Sequence, residues 1–286
     1  TDPRAGLSAG LYTAEEALLN LELVATLKKP TGFYDPKNPE MKGSEDADSK
    51  DDDEVLTIEE ASRKLRSPML SFSNTDMAFK DNLLVAGSYH GFNIYELQDN
   101  GIPNLITSVV CPGGQGDVSV VGNILIMSVE ETRGRVDCGL DGVGPDASPE
   151  RFRGIRIFDI SNIKKPKQVG AVQTCRGSHT HSVVAGPTAD NKIIVYNSGT
   201  GRVREEDELD GCIGNIAGDT RTAYFSIDVI EIPINDPASS RIVSSPRVFA
   251  DNDKGIIAGL WRGGDHGDGT QDTRPTNQCH DITVFP

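Results

Sequence analysis

The chain has 286 residues, 36% hydrophobic and 25% charged, which is enough apolar material to bury a core without a disulfide framework. Its formal net charge of −15 repels a phosphate backbone and sets nucleic acid aside as a partner, and no run of about 20 apolar residues is present to span a membrane. Helix-forming stretches are scarce, whereas 30 Gly and 16 Pro suit many short strands joined by turns.

In chain order, the sequence begins at Thr1 without Met and without a secretory-signal pattern, as expected of a processed N-terminus or a trimmed chain. Residues 1–37 form an N-terminal segment in which LELVATLKKP, Leu21–Pro30, reads as a lone strand similar to the later PNLITSVVCP. Residues 38–70 form an acidic insertion. Its run SEDADSKDDDE reads as a self-repelling surface loop. The following LTIEEASRKLRS has helical spacing, with Leu56, Ala61 and Leu65 near one side and Thr57 and Glu60 as a capping pair. Such a short helix packs on its own blade or docks a partner.

From residue 71 a repeat takes over. Residues 71–110 contain NLLVAGSYHGFNIYELQDNGIPNLITSVV, Asn82–Val110. Residues 111–175 carry NILIMSV at Asn123–Val129 and, after an insertion, GIRIFDISNIKKPKQVGAV at Gly154–Val172. Residues 176–249 carry KIIVYNS at Lys192–Ser198 and TAYFSIDVIEIPINDPASSRIVSSPRVF at Thr222–Phe249. Each copy supplies a β-rich strand, a second strand of Ile, Leu and Val, a third with large apolar residues at period two, a turn with Asn or Asp and Pro, and a fourth strand. Four antiparallel strands per unit make a propeller blade, so the expected fold class is all-β, a β-propeller.

The first strands start at Asp76, Asp117, His181 and His280, which lie 41, 64 and 99 positions apart. Residues 250–279 then read as a long linker and 280–286 as the first strand of a fourth blade. Propellers use about 4–8 blades, so three do not close a ring. The remaining blades are expected from missing sequence or from another protein chain, with Leu21–Pro30 fastening the ring.

The segment FDISNIKKPKQVGAV resembles the LVIVD repeat, a bacterial propeller repeat ending in a D-I-S-x-P-x-x-P-type turn. Ile163 stands where the first Pro is often found, and Pro166 keeps the second. HGFNIY, GGQGDVSV, SHTHSVV and NQCHDITVFP are also similar to a group of secreted LVIVD proteins of bacteria, over Leu21–Pro286 apart from the acidic run. The resemblance implies the fold and a secreted protein, and little chemistry.

Five cysteines fall on the repeat, and none forms a CxxC pair. Cys111 and Cys175 each follow a fourth strand, and Cys138 and Cys212 each lie in a long insertion between strands two and three. These connections share one face of a propeller, so Cys111–Cys138 and Cys175–Cys212 are the expected disulfides. Cys279 matches Cys111 and Cys175 in position, and its expected partner is a cysteine outside this chain. Disulfides imply the periplasm, the cell surface or secretion. Five buried thiols in a cytosolic protein are the alternative.

Inner strands line a propeller's axis, so Asp76, Asp117, His181 and His280, with His179 on the same strand face as His181, are candidate ligands for a divalent transition metal such as zinc, copper or iron. Selenium-binding-type propellers, which include a copper-dependent thiol oxidase, also use histidines around the axis, a similarity of fold only. The alternative is that these side chains bond channel water and neighbouring strands. Glu130 and Glu131 end a second strand on the same face, as further ligands, as a general base or simply solvated. His90, in SYHGF, reads as a loop-capping residue. Asp137 and Asp141 in one Asp- and Gly-rich loop, and Asp265 and Asp268 in another that also holds His266, are candidate ligands for structural Ca²⁺, although the EF-hand pattern is absent. Trp261 suits either binding or burial.

HExxH, HxxxH, a P-loop, a Rossmann fingerprint and a Ser-His-Asp motif are all absent. The functional expectation is therefore a secreted or surface scaffold or interaction module. The alternative is a metal-dependent oxidoreductase using His181 and His280 with Asp76 and Asp117. A third reading is a hydrolase or lactonase with Ca²⁺ near Asp76, Asp117 and Asn74.

Overall fold

A computed structural model describes residues 2–10, 13–33, 73–214, 221–251, 253–257, 263–265, 267–269 and 276–285. The acidic run, the helix expected after it, Trp261 and His266 lie outside the described residues.

Turn chemistry delimits the strands. Asp81 and Asn82 join β1 (Asn74–Lys80) to β2 (Leu83–Ser88), with Asp81 at φ 52°, a left-handed conformation that a short polar side chain tolerates. β3 (Gly91–Leu97) and β4 (Pro103–Val110) complete a sheet of order β1-β2-β3-β4. The second sheet runs through β5 (Val118–Val121), β6 (Ile124–Val129), β7 (Gly154–Asp159) and β8 (Lys167–Gln173). The third runs through β9 (Thr180–Ala185), β10 (Lys192–Ser198), β11 (Asp228–Pro233) and β12 (Arg241–Ser244). Every neighbouring pair is antiparallel. A short hairpin, β13 (Ala250–Asp251) and β14 (Ile256–Ile257), follows, and no α-helix occurs among the described residues.

β6 explains why the sheets stack as blades. Successive residues of a strand point to opposite faces. Leu125, Met127 and Val129 join Val85, Phe92 and Ile94 of the first sheet, while Ile124 and Ile126 join Ile193, Val195, Ile230 and Ile232 of the third. β7 divides likewise: Phe158 meets Phe92 edge-on with ring centroids 5.0 Å apart, and Ile155 and Ile157 face the third sheet. Each such side chain, fully buried, contributes about 1.5–3 kcal/mol. The middle blade is thus covered on both faces. The flanking blades each keep one face open, with Met77, Phe79 and Leu105 exposed at one end and Val243 at the other.

β1 packs beside β5 and β5 beside β9, as inner strands around an axis do, and the sheets are not closed into a ring. Gly91 and Gly154 open the third strands of the first two blades at φ 128° and 144°. A Cβ on either would strike the Val109 or Val172 carbonyl of the paired fourth strand.

Two expected strands are not formed. Leu21–Pro30 is irregular and mostly exposed. A fourth strand needs the third strand of its own sheet, and β4, β8 and β12 already occupy those edges. Residues 280–285 also pair with no strand, yet they run where the next inner strand belongs. Thr180 Oγ1 and Ser198 Oγ donate to the His280 carbonyl at 3.1 and 3.0 Å, and Ser182 Oγ donates to that of Ile282. Neighbouring blades meet through side chains, so an inner strand acquires its ladder only from the second strand of its own blade.

Disulfides join Cys111 to Cys138 and Cys175 to Cys212, closing loops of 27 and 37 positions. Each ties the connection entering a blade to that blade's own long insertion. Cys279 is a free, half-buried thiol.

Candidate functional site

The β2–β3, β6–β7 and β10–β11 connections and the links between blades bring polar side chains together in two layers. In the inner layer, Asp76 Oδ2 accepts the Val118 N–H at 3.1 Å and Asp117 Oδ2 accepts the His181 N–H at 3.0 Å. Each carboxylate therefore ties one inner strand to the next. The His181 ring is fully buried, with Nδ1 2.8 Å from Ser128 Oγ and 3.2 Å from Asp117 Oδ2, and Ser128 Oγ lies 2.7 Å from Ser178 Oγ. Burial pulls this imidazole down to about 4. Burial foremost, with the neighbouring Asp76 and Asp281 charges, pushes Asp117 up to about 7. At neutral pH the imidazole is consequently uncharged, and its 3.2 Å approach to Asp117 is not an ion pair. His181 Nε2 finds no partner among the described residues, at a cost of about 1–3 kcal/mol for a buried polar atom.

The outer layer spans three blades. His179 Nδ1 lies 2.7 Å from Glu130 Oε2, and Nε2 lies 3.0 Å from Gln115 Nε2. The Tyr89 hydroxyl donates to Gln115 Oε1 at 2.9 Å, and Thr200 gives both its N–H and its hydroxyl to Glu130 Oε1 at 2.6 Å. Burial works against both charges. The hydrogen bonds from His179 and Thr200 nonetheless hold Glu130 below the usual carboxylate range, and the bond to Glu130 lifts His179 above the usual imidazole range. A charged His179 needs the Gln115 amide turned over, so that its oxygen accepts from Nε2–H and its NH₂ faces the Tyr89 oxygen. The exposed His280 ring lies over His179 with centroids 4.4 Å apart, and His280 Nδ1 is 3.2 Å from Asp281 Oδ2. Chemically, Glu130 and His179 form an acid–base pair that can pass a proton, held at one end by Thr200 and at the other by Gln115.

Of the expected metal ligands, Asp76 and Asp117 each accept a strand N–H through one carboxylate oxygen, and His179 engages both ring nitrogens. Among the described residues no group of three His, Cys, Asp or Glu side chains is arranged to hold a metal ion. Of the candidate calcium residues, Asp137 pairs with Arg135 at 2.9 Å and accepts the Gly139 N–H at 2.9 Å, which holds its carboxyl far below the usual range. Asp141 and Asp268 are exposed, and Asp265 accepts the Gly267 N–H at 2.9 Å. Glu131 pairs with Arg133.

His90 is fully buried. Its backbone carbonyl accepts the Cys111 N–H at 2.7 Å, which fits the loop-capping role, while neither ring nitrogen has a partner among the described residues. Burial, then the Arg133 and Lys29 charges, pulls its ring down to about 4.

Gln115, Tyr89, Thr200 and Arg176 belong to the site and were not anticipated. A signal for Gln115 was present: in GGQG, Gly114, Gln115 and Gly116 take φ of 74°, 47° and 66°, and the two glycines carry the chain through a turn that presents the glutamine. Arg176, buried in the link before β9, donates to the Asn277 carbonyl at 2.7 Å and so holds the segment leading to His280.

No protein-family description matches the chain, and no curated protein is similar to it. Similar solved structures include the hydrazine synthase of Kuenenia stuttgartiensis, at 10% identity over 62% of this chain and 37% of that one, TM-score 0.36. A protein from Lactobacillus plantarum matches at 13% identity over 63% and 57%, TM-score 0.30. The computationally designed Ika8 protein matches at 13% identity over 62% and 50%, TM-score 0.28. The chain thus corresponds to between 37% and 57% of the length of these structures. The assignment of blades rests on the sheets themselves.

Proposed function

We propose that this chain is part of an extracytoplasmic β-propeller that serves as a scaffold or interaction module, its two open blade faces covered by further blades of the same or another polypeptide. The observation that carries this reading is the uncovered apolar face of the first blade, where Met77, Phe79 and Leu105 are exposed, beside a middle blade buried on both sides. Exposed apolar sheet faces of this kind mark interaction surfaces. The two disulfides support an oxidising compartment, and the resemblance of FDISNIKKPKQVGAV to the LVIVD repeat of secreted bacterial proteins supports the same location. Among the described residues no helix is long and apolar enough to cross a membrane. The marker aspartates enter this reading as ties between inner strands, and we attach no reaction to the axis.

Light scattering on the purified chain tests the assembly. Self-association, or capture of a hydrophobic dye, that is abolished by Met77→Lys with Phe79→Lys supports uncovered faces. A monodisperse monomer that binds no dye overturns the reading. Mass mapping without reduction tests the compartment, with Cys111–Cys138 and Cys175–Cys212 peptides expected. Five free thiols in protein isolated under oxidising conditions would refute it.

A further inference from the structure

Residues 280–285 lie beside the third blade as a strand without a ladder. The segment is anchored before it starts, since the Asn277 carbonyl accepts from Arg176 at 2.7 Å and from the Phe225 N–H at 3.1 Å. Thr180 Oγ1 then donates to the His280 carbonyl and Ser182 Oγ to the Ile282 carbonyl, and in both cases the partners are 100 positions apart. A constant offset means that the segment runs parallel to β9 at the same rise per residue, as an extended strand. Side chains tie the earlier inner strands together in the same way: Asp76 accepts the Val118 N–H and Asp117 the His181 N–H. The segment is therefore a further member of that row.

Strand geometry determines which of its backbone groups are left over. Consecutive residues of a strand turn their N–H and C=O groups to opposite edges. His280 and Ile282 turn theirs towards β9, so Asp281, Thr283 and Phe285 face the other way. Among the described residues no hydrogen bond reaches the backbone of these three. The corresponding edges of β1, β5 and β9 are each covered by an antiparallel second strand, β2, β6 and β10. Such a second strand is apolar at successive positions: in β6, Leu125 and Met127 serve one face and Ile124 and Ile126 the other. The surroundings of 280–285 match a strand of that kind. On the third blade Ile193, Val195 and Ile230 face the second blade, so Ile194, Tyr196 and Val229 point away from it, and these are only partly buried.

We infer that residues 280–285 are the docking edge for one antiparallel β-strand of a further blade, apolar on both of its faces, which pairs with the backbone of Asp281, Thr283 and Phe285 and lays one face on Ile194, Tyr196 and Val229. This rests on the reading of the chain as part of a propeller and names what covers the third blade. Addition of a strand to an open edge draws its affinity from main-chain bonds and its selectivity from the alternating side chains.

The probe is a synthetic peptide with the β10 sequence KIIVYNS between lysine tags, titrated into the whole chain by calorimetry, with a scrambled peptide of the same composition as control. Saturable binding of KIIVYNS and not of the scramble is expected, with amide exchange slowed at Asp281, Thr283 and Phe285 and unchanged at Ile282 and Val284. Thr283→Pro removes one edge donor and is expected to weaken binding about tenfold. A peptide carrying Pro in place of its central Val leaves the protein untouched and is expected to lose saturation as well. The Met77→Lys, Phe79→Lys protein is expected to bind KIIVYNS as the wild type does, so an absence of peptide binding while the first-blade face still self-associates refutes this edge alone. No saturation, equal binding of the scramble, protection that does not alternate along 281–285, or protection confined to the outer edges of β4, β8 or β12 overturns the inference.

Discussion

Glu208 is the most informative position at which to test how the long loops are held. Its carboxylate is 3% exposed and is shared by Arg151 and Arg204, whose side chains are 7% and 1% exposed. Oε1 accepts from Arg204 Nε at 2.6 Å, and Oε2 accepts from Arg151 Nη1 and from the Ser148 N–H at 3.2 Å. The insertion of the second blade is thereby pinned to that of the third. Glu208→Ala leaves two buried guanidiniums without a counter-charge, a change that costs about 3–5 kcal/mol. Arg151 keeps the Thr132 and Asp146 carbonyls at 2.9 and 3.1 Å, and Arg204 keeps the Arg151 carbonyl at 3.3 Å, so the lower end, about 3 kcal/mol, is expected. For a chain of this size that is a fall in Tm of roughly 6–12 °C. The urea midpoint should fall with an unchanged m-value.

Acid titration gives an independent check on the same residue. Burial opposes the Glu208 charge, but the Ser148 N–H and Arg204 outweigh it and hold the carboxyl below its ordinary 4.5. A depressed folded-state pKa means that this contribution is complete above about pH 4.5 and is lost as the pH falls through the folded value. The wild type and Glu208→Ala should therefore converge in stability at low pH. A loss below about 1 kcal/mol at pH 7, the value of an exposed pair, would refute the reasoning.

Further outcomes follow from the two layers of the site and from the core. His179 is raised above 6.5, so its contribution is full below that pH and declines as the pH rises through the folded value; Tm against pH should show this decline, and Glu130→Gln should remove it. Asp117 is raised from 3.8 to about 7 by burial, so its ionisation lowers stability as the pH climbs through that interval. Asp117→Asn keeps an oxygen for the His181 N–H and should match the wild type near pH 4 but melt higher at pH 8; a lower Tm at pH 8 would contradict this. Ile157→Ala, at a fully buried position between the second and third blades, should cost about 2–5 kcal/mol in urea unfolding, and a loss under 1 kcal/mol would mean that these blades do not pack as described. Elemental analysis should find no stoichiometric zinc, copper or iron, and one metal atom per chain lost on His181→Ala would restore the axial metal reading.

The blades were legible because their rules are local. Period-two alternation in FNIYEL and IRIFDI and the Asp81–Asn82 turn each act within a few residues, and they place β1 to β12 as three meandering sheets. The equivalence of Cys111 with Cys175 and of Cys138 with Cys212 also followed from the repeat, since the same two connections recur on each blade. Leu21–Pro30 and residues 280–285 carry equally good strand composition and form no strand. Composition fixes which residues suit a ladder, whereas a ladder needs a partner, and among the described strands every third strand already has its fourth and every second strand its first.

The candidate site shows the same division. A histidine's position on a repeat predicts that it faces the axis but says nothing of what its nitrogens meet. His181 and Asp117 do approach each other, at 3.2 Å, yet burial leaves the imidazole neutral and the carboxylate engaged with a backbone N–H. The partners that decide the role of His179 come from four other stretches of chain: Tyr89 between β2 and β3, Gln115 before β5, Glu130 after β6 and Thr200 after β10. Each lies in a connection where strand periodicity has ended, so no spacing rule links it to the others. What brings them together is blade packing, since Leu125 and Met127 on one face of β6 and Ile124 and Ile126 on the other fix how far apart the three connections stand. A polar network of this kind is a consequence of the apolar core beneath it. A core substitution such as Ile126→Ala should therefore disturb the Glu130–His179 pair, seen as a change in the His179 titration, although it touches neither residue.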